Sequence, residues 1–100
     1  MIRWMTTAYI ADTKVVQAIS WMKDLKKYLE KYRDPSSTQI FIDNSSDGGT
    51  IRWVRDFKDL ASLEKSMQQI KRDQGYWKRL KKAEDLFLQG KVYDVVMHSI

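Results

Sequence analysis

The chain has 100 residues, about one domain's length, with 43% hydrophobic, 31% charged and 12% aromatic residues and Trp at four positions. This composition suits a globular chain with its own core and excludes a disordered segment. The lack of Cys excludes disulfides, thiolate metal sites and Cys nucleophiles. A formal charge of +5, from 18 basic and 13 acidic residues, favours anionic partners without naming one.

Ile2 to Ile10 alternates as a strand, with Ile2, Trp4, Thr6, Ala8 and Ile10 on one side and Arg3, Met5, Thr7 and Tyr9 on the other. The first residues lack the basic stretch and apolar core of a secretory signal. No apolar run approaches the roughly 18 residues that span a bilayer. A cytoplasmic protein without membrane partners is therefore expected. Asp12 and Thr13 offer N-cap oxygens to a first helix. Its inward positions Val15, Ile19, Met22, Leu25 or Lys26, Leu29 and Tyr32 recur every three or four residues, with Lys23, Lys27 and Lys31 opposite. Asp34-Pro35 should stop it, because the residue before proline avoids the α region.

Two further strands follow, Thr38 to Asp43 and Thr50 to Phe57. The intervening Asn44-Ser45-Ser46-Asp47-Gly48-Gly49 supplies hairpin turn chemistry. Asp59 is placed to cap a second helix with Leu60, Leu63, Met67 and Ile70 on its buried stripe. Glycine costs roughly 1 kcal/mol in a helix interior, so a break is expected near Asp73-Gln74-Gly75. The continuing helix turns Trp77, Leu80, Ala83 or Glu84, and Phe87 inward, and its basic run Lys78-Arg79-Leu80-Lys81-Lys82 reads as a solvated face. Gly90 stops it, and Val92 to Ile100 makes the last strand.

The order β-α-β-β-α-β predicts a single α+β domain over residues 1–100 with a ferredoxin-like fold. Its four-stranded antiparallel sheet has order 4-1-3-2, with the helices, the second of them broken, on one face. The strands are apolar on both sides: Ile51, Trp53 and Phe57 against Val54, Ile40 and Ile42 against Phe41, Val92, Val96 and Ile100 against Tyr93, Val95 and Met97. A sheet with one wet face alternates more cleanly. The face without helices is therefore expected to meet a second copy across a two-fold axis, giving a sheet-to-sheet homodimer.

This element order resembles the dimeric α/β-barrel superfamily, closest to its NIPSNAP-like and antibiotic-biosynthesis-monooxygenase-like branches. The local likeness lies in Phe57-Lys58-Asp59 entering the second helix, in Leu63, and in the break at Asp73-Gln74-Gly75 followed by Tyr76-Trp77. The resemblance implies a dimer with pockets between sheet and helices. It implies either a protein without assigned chemistry or an enzyme such as a cofactor-free oxygenase or lactone isomerase. A haem-degrading member is expected to carry a histidine on the second helix. The one histidine here, His98, falls in the last strand, so haem is not expected and no other cofactor is called for.

His98 is the acid/base candidate because its unperturbed pKa lies near neutrality. Asp94 shares its face, but four strand residues separate the two by about 13 Å, and an ordinary edge or interface histidine is the competing reading. Arg55 lies among Ile51, Trp53 and Phe57, where a guanidinium can hold an anionic oxygen and stack on a flat ligand; equally, it can pair with Asp43 or Asp94. Trp4, Tyr9 and Trp53 can line an apolar pocket or serve as core, and Trp77 follows the helix break where the resemblance implies an aromatic. No ligand set for a metal is present. The expected function is binding of a flat, largely apolar small molecule, with monooxygenase-like chemistry implied by the resemblance. An RNA-binding or protein-interaction module is the alternative on the same fold. Nucleic acid is the less favoured partner, because Arg52 and Asp56 stand where the RNA motif wants a small residue and an aromatic.

Overall fold

Four strands form one antiparallel sheet: β1 (Ile2–Ile10), β2 (Thr38–Ser45), β3 (Gly48–Phe57) and β4 (Phe87–His98). Their order is β2-β3-β1-β4, the expected 4-1-3-2 read from the opposite edge. The connecting helices are α1 (Val15–Leu29), α2 (Leu60–Lys71) and α3 (Gln74–Lys82). This computed structural model describes residues 1–32, 37–45 and 48–100; the Asp34-Pro35 helix stop and the Ser46-Asp47 centre of the hairpin lie outside them. The hairpin pairs Asn44 with Gly49 and Ser45 with Gly48, so both strands run further into the turn than their apolar pattern indicates.

The register sets the faces. Trp4 lies opposite Arg55, Thr6 opposite Trp53 and Ala8 opposite Ile51. On this face Ile10, Ile51 and Trp53 pack with Ala18, Met22, Leu25 and Leu29 of α1. A smaller cluster joins Ile2 and Phe57 to Leu63 of α2, with Trp4 against it. The other face is open: Tyr9, Phe41, Tyr93, Val95 and Met97 are each at least 41% exposed.

Several local expectations are corrected. Asp12 and Thr13 do not cap α1. Thr13 turns the chain through a positive φ of 65°, Lys14 occupies the cap position without a side-chain bond, and its amide donates to the Ala11 carbonyl at 3.1 Å. Asp59 does cap α2, accepting the Ser62 amide at 2.8 Å, but the buried positions of that helix are Leu63 and Ser66. Leu63 and Ile70 pack inward as expected, whereas Leu60 is 50% exposed, and Met67 is 47% exposed because small Ser66 takes the inward place one residue earlier. In α3 it is Tyr76 and Leu80, not Trp77, that turn toward the sheet. Gly90 does not end a helix either. It lies within β4 at φ 72°, where the register jumps from Ala8 opposite Val92 to Ile10 opposite Phe87. That irregularity is bulge-like, and glycine accommodates the positive φ without a Cβ clash.

The helix break falls where expected, but its cause differs. Asp73 is the N-cap of α3 and accepts the Tyr76 amide at 3.1 Å. Gly75 lies inside the first turn of α3, and a Cβ there would stand 2.1 Å from the Tyr28 hydroxyl oxygen. The glycine allows α1 to approach; the aspartate restarts the helix.

Candidate functional site

Between the helices and the sheet lies a cavity of about 230 Å³ whose sheet side is built from Trp4, Thr6, Trp53, Arg55 and Asp94, with Tyr76 and Leu80 of α3 above. Arg55 is only 4% exposed. Its guanidinium carbon sits 3.7 Å from the Trp4 ring centre and 4.5 Å from that of Trp53. Cation–π attraction strengthens where water is excluded, so two indole faces offset part of the cost of burying the charge. The geometry follows from register: Trp4 is directly across the ladder from Arg55, and Trp53 is two residues away on the same face.

The polar groups form a chain. Arg55 Nη2 donates to Thr6 Oγ1, and the Thr6 hydroxyl donates to Asp94 Oδ1 at 2.5 Å. Asp94 Oδ1 also receives the Trp4 indole N–H at 3.0 Å. Thr6 therefore stands between the cation and the carboxylate. Asp43, the other carboxylate considered for Arg55, lies on the opposite face of the sheet, as its pairing with Thr50 requires. Trp53 Nε1 is buried and has no hydrogen-bond partner among the described residues. Burial raises the Tyr76 hydroxyl above its ordinary pKa, so it remains a neutral donor near the cation.

Two grooves flank the cavity. One, about 350 Å³, is walled by Met67, Ile70, Lys71 and Trp77 and shares Trp4 and Tyr76 with the cavity. The other, about 380 Å³, runs past Ala83, Leu88 and Gly90 and shares Trp21, Leu80, Phe87 and Val92. Tyr76 and Leu80 of α3 thus stand over the cavity with a groove adjoining on either side.

A second polar cluster fixes that roof. The Asp73 carboxylate receives the Tyr28 hydroxyl at 2.6 Å and the Tyr32 hydroxyl at 2.5 Å, and Lys31 Nζ lies 3.1 Å away. The Tyr28 and Tyr32 hydrogen bonds hold Asp73 well below the usual carboxylate range, and Lys31, bonded to Tyr28 and to Asp73, is held above its own. Arg79 of α3 stacks on Tyr28 at 3.8 Å and pairs with Asp24 at 3.1 Å. The Trp21 indole donates to the Arg79 carbonyl at 2.9 Å. Sequence reading missed this cluster; its only signal was the aspartate preceding Gln74-Gly75.

Of the residues singled out from sequence, Trp4, Trp53, Arg55 and Asp94 come together at the cavity, and Trp77 lines the adjoining groove. Tyr9 is not with them. It lies on the open face, edge-on to Tyr93 with ring centres 6.2 Å apart. His98 is opposite Ile2 at the far end of β4, exposed and outside the cavity lining. Thr6 and Tyr76 join the site through strand register and helix phase. Among the described residues no three His, Cys, Asp or Glu side chains gather to hold a metal, and no helix is long and apolar enough to cross a membrane.

No family sequence model matches the chain, and no curated protein matches it in sequence. Solved structures do match over its whole length. A protein from Agrobacterium tumefaciens, described as a NIPSNAP family protein with unknown function, is similar at TM-score 0.81 and 13% identity, covering 100% of this chain and 94% of its own. An uncharacterized NIPSNAP domain protein from Burkholderia xenovorans gives 0.72 and 12%, covering 100% and 95%. An antibiotic biosynthesis monooxygenase gives 0.68 and 9%, covering 100% and 99%. The chain thus shares the ferredoxin-like α+β fold of NIPSNAP-family and antibiotic-biosynthesis-monooxygenase structures.

Proposed function

We propose that the chain binds a flat, largely apolar small molecule bearing an anionic oxygen in the cavity between sheet and helices. The observation that carries this reading is Arg55, buried at the cavity and stacked on both Trp4 and Trp53. Ligand sites are mostly apolar with a few fixed polar groups, and a stacked guanidinium offers both an anion contact and a planar surface. Monooxygenase-like turnover without a cofactor is the chemistry this reading favours, supported by the likeness to a monooxygenase structure. The same reading gives the open face to a second copy of the chain.

RNA binding on the open face is the weaker reading. The RNA-recognition fold stacks bases on aromatics of its central strands. Here β1 presents Met5 and Thr7 and β3 presents Arg52 and Val54 at the centre of that face, while Tyr9, Phe41 and Tyr93 stand at its margins.

Tryptophan fluorescence tests the proposal, because Trp4, Trp21 and Trp53 all line the cavity. Titration with 2-naphthoate and an anionic hydroxyanthraquinone is expected to quench emission saturably. Arg55→Met should weaken 2-naphthoate by about tenfold or more and neutral 2-naphthamide far less, as loss of a charged hydrogen bond implies. Oxygen uptake with the bound compound then tests turnover. No saturable quenching by any planar compound would overturn the reading.

A further inference from the structure

Trp77 is 50% exposed, yet it is held in place. Its indole N–H donates to the Lys71 carbonyl at 3.0 Å, and its ring meets that of Tyr76 edge-on, 5.3 Å between centres. Met67, 47% exposed, and Ile70 stand with it around the groove of about 350 Å³. The groove follows from the helix break. α2 ends at Lys71 and α3 restarts from its Asp73 cap, which brings Trp77 beside Met67, Ile70 and Lys71.

Two features connect this groove to ligand binding. It shares Trp4 and Tyr76 with the central cavity, so the two compartments adjoin across these side chains. Their chemistry also differs in a complementary way. The cavity holds the polar set: Arg55, Thr6, Asp94 and the buried Trp53 N–H, which has no partner among the described residues. The groove is aliphatic and aromatic apart from Gln68 and Lys71. Preformed apolar surface adjoining a polar anchor suits one molecule of two parts that passes between Trp4 and Tyr76.

We propose that the ligand is amphiphilic: a flat anionic head in the central cavity and a linear apolar tail lying in the groove against Met67, Ile70 and Trp77. This rests on the binding reading of the cavity and adds to it the class of compound. The tail removes from water apolar surface that the chain otherwise exposes, and the fixed indole means little side-chain entropy is lost on binding.

Calorimetric titration with 6-alkoxy-2-naphthoates, from methoxy to octyloxy, tests it. Affinity is expected to rise about threefold for each methylene that enters the groove. Trp77→Ser and, separately, Met67→Ser should lower octyloxy affinity about tenfold while leaving the methoxy compound within about twofold. Both positions are exposed, so folding of the variants is checked by thermal melts rather than assumed. Affinity that is flat with chain length, or equal losses for both homologues in the variants, would overturn the two-part ligand while leaving the cavity reading intact. Failure of every homologue to bind, methoxy included, would overturn both.

Discussion

Asp73 illustrates how one side chain can decide where a binding site lies. Its two oxygens meet two tyrosine hydroxyls, a lysine and a backbone amide, so α3 is tied to α1 through a buried anion. An asparagine at this position keeps one carbonyl acceptor and cannot serve both tyrosines and Lys31. Asp73→Asn is expected to cost about 2 kcal/mol at neutral pH, since hydrogen bonds to charged groups carry roughly that much. For a chain of this size the loss corresponds to a melting temperature lower by about 10 °C. The pH dependence has a definite sign. The folded pKa of Asp73 is lowered from its ordinary 3.8, so its stabilisation is complete above that value and lost as pH falls toward the folded one. Tyr32 behaves in the opposite sense. Its pKa is raised, chiefly by the bond to Asp73, so its contribution holds below 10.0 and fades as pH rises through the folded value. Melting curves of both proteins from pH 7 downward check this: the gap should narrow in acid. A gap that stays constant to pH 2 would mean that Asp73 acts through packing rather than charge.

At the scale of elements, α1 and α3 meet at Gly75 and Tyr28. The Tyr28 ring has Lys31 over it at 3.8 Å and Arg79 at 3.8 Å, while its hydroxyl is fixed on Asp73. It has little room to yield to a new methyl group 2.8 Å from Cζ. Gly75→Ala gains up to about 1 kcal/mol in helix propensity but overpacks this contact, and overpacking typically costs 1–3 kcal/mol. We expect net destabilisation in the wild-type background and a smaller penalty in Tyr28→Leu, with a coupling of about 1 kcal/mol in a denaturant double-mutant cycle. Additive effects would separate the glycine from the tyrosine. The same elements show what the sequence made legible. Alternation in Ile2 to Ile10 and around Trp53 was enough for the faces, because strand side chains alternate with a fixed period of two, and the order of elements with its two helical crossovers was enough for the strand order. Asp59 was readable as a cap because its acceptor serves an amide three residues ahead. Trp77 was misplaced for a related reason: restarting the helix at Asp73 resets its phase, and adjacent Tyr76 and Trp77 differ by about 100° of rotation. The Asp73 cluster and the stacking of Trp4 on Arg55 join residues 45 and 51 positions apart. They depend on helix docking and strand register, which no local pattern encodes.

For the molecule as a whole, the open sheet face sets the strongest expectation. Val95, Met5 and Val54 lie side by side across β4, β1 and β3, with Tyr93 and Met97 on either side of Val95 along β4. Tyr93, Val95 and Met97 are 49%, 46% and 41% exposed, whereas Val54 is already 7% exposed at the centre. Large contiguous apolar patches on a monomer mark interaction surfaces. A two-fold axis covers such a patch with the patch itself, at no need for a second gene product. A stable interface buries about 800 Å² per partner, and a sheet face of four strands can supply that. We therefore expect light scattering to give twice the chain mass of 11.9 kDa, and the dimer to persist in high salt because its contacts are apolar rather than ionic. Val95→Arg supplies the decisive control. In a two-fold interface the substitution occurs twice, placing two unpaired charges in a desolvated layer, each costing several kcal/mol. The variant should run as a monomer, while the helix-side cavity keeps its affinity for 2-naphthoate, since Val95 points away from it. A wild-type chain that is monomeric at micromolar concentration would sink the self-association reading. Salt-dependent binding of single-stranded RNA by that monomer, abolished in Tyr93→Ala, would then assign the open face to nucleic acid.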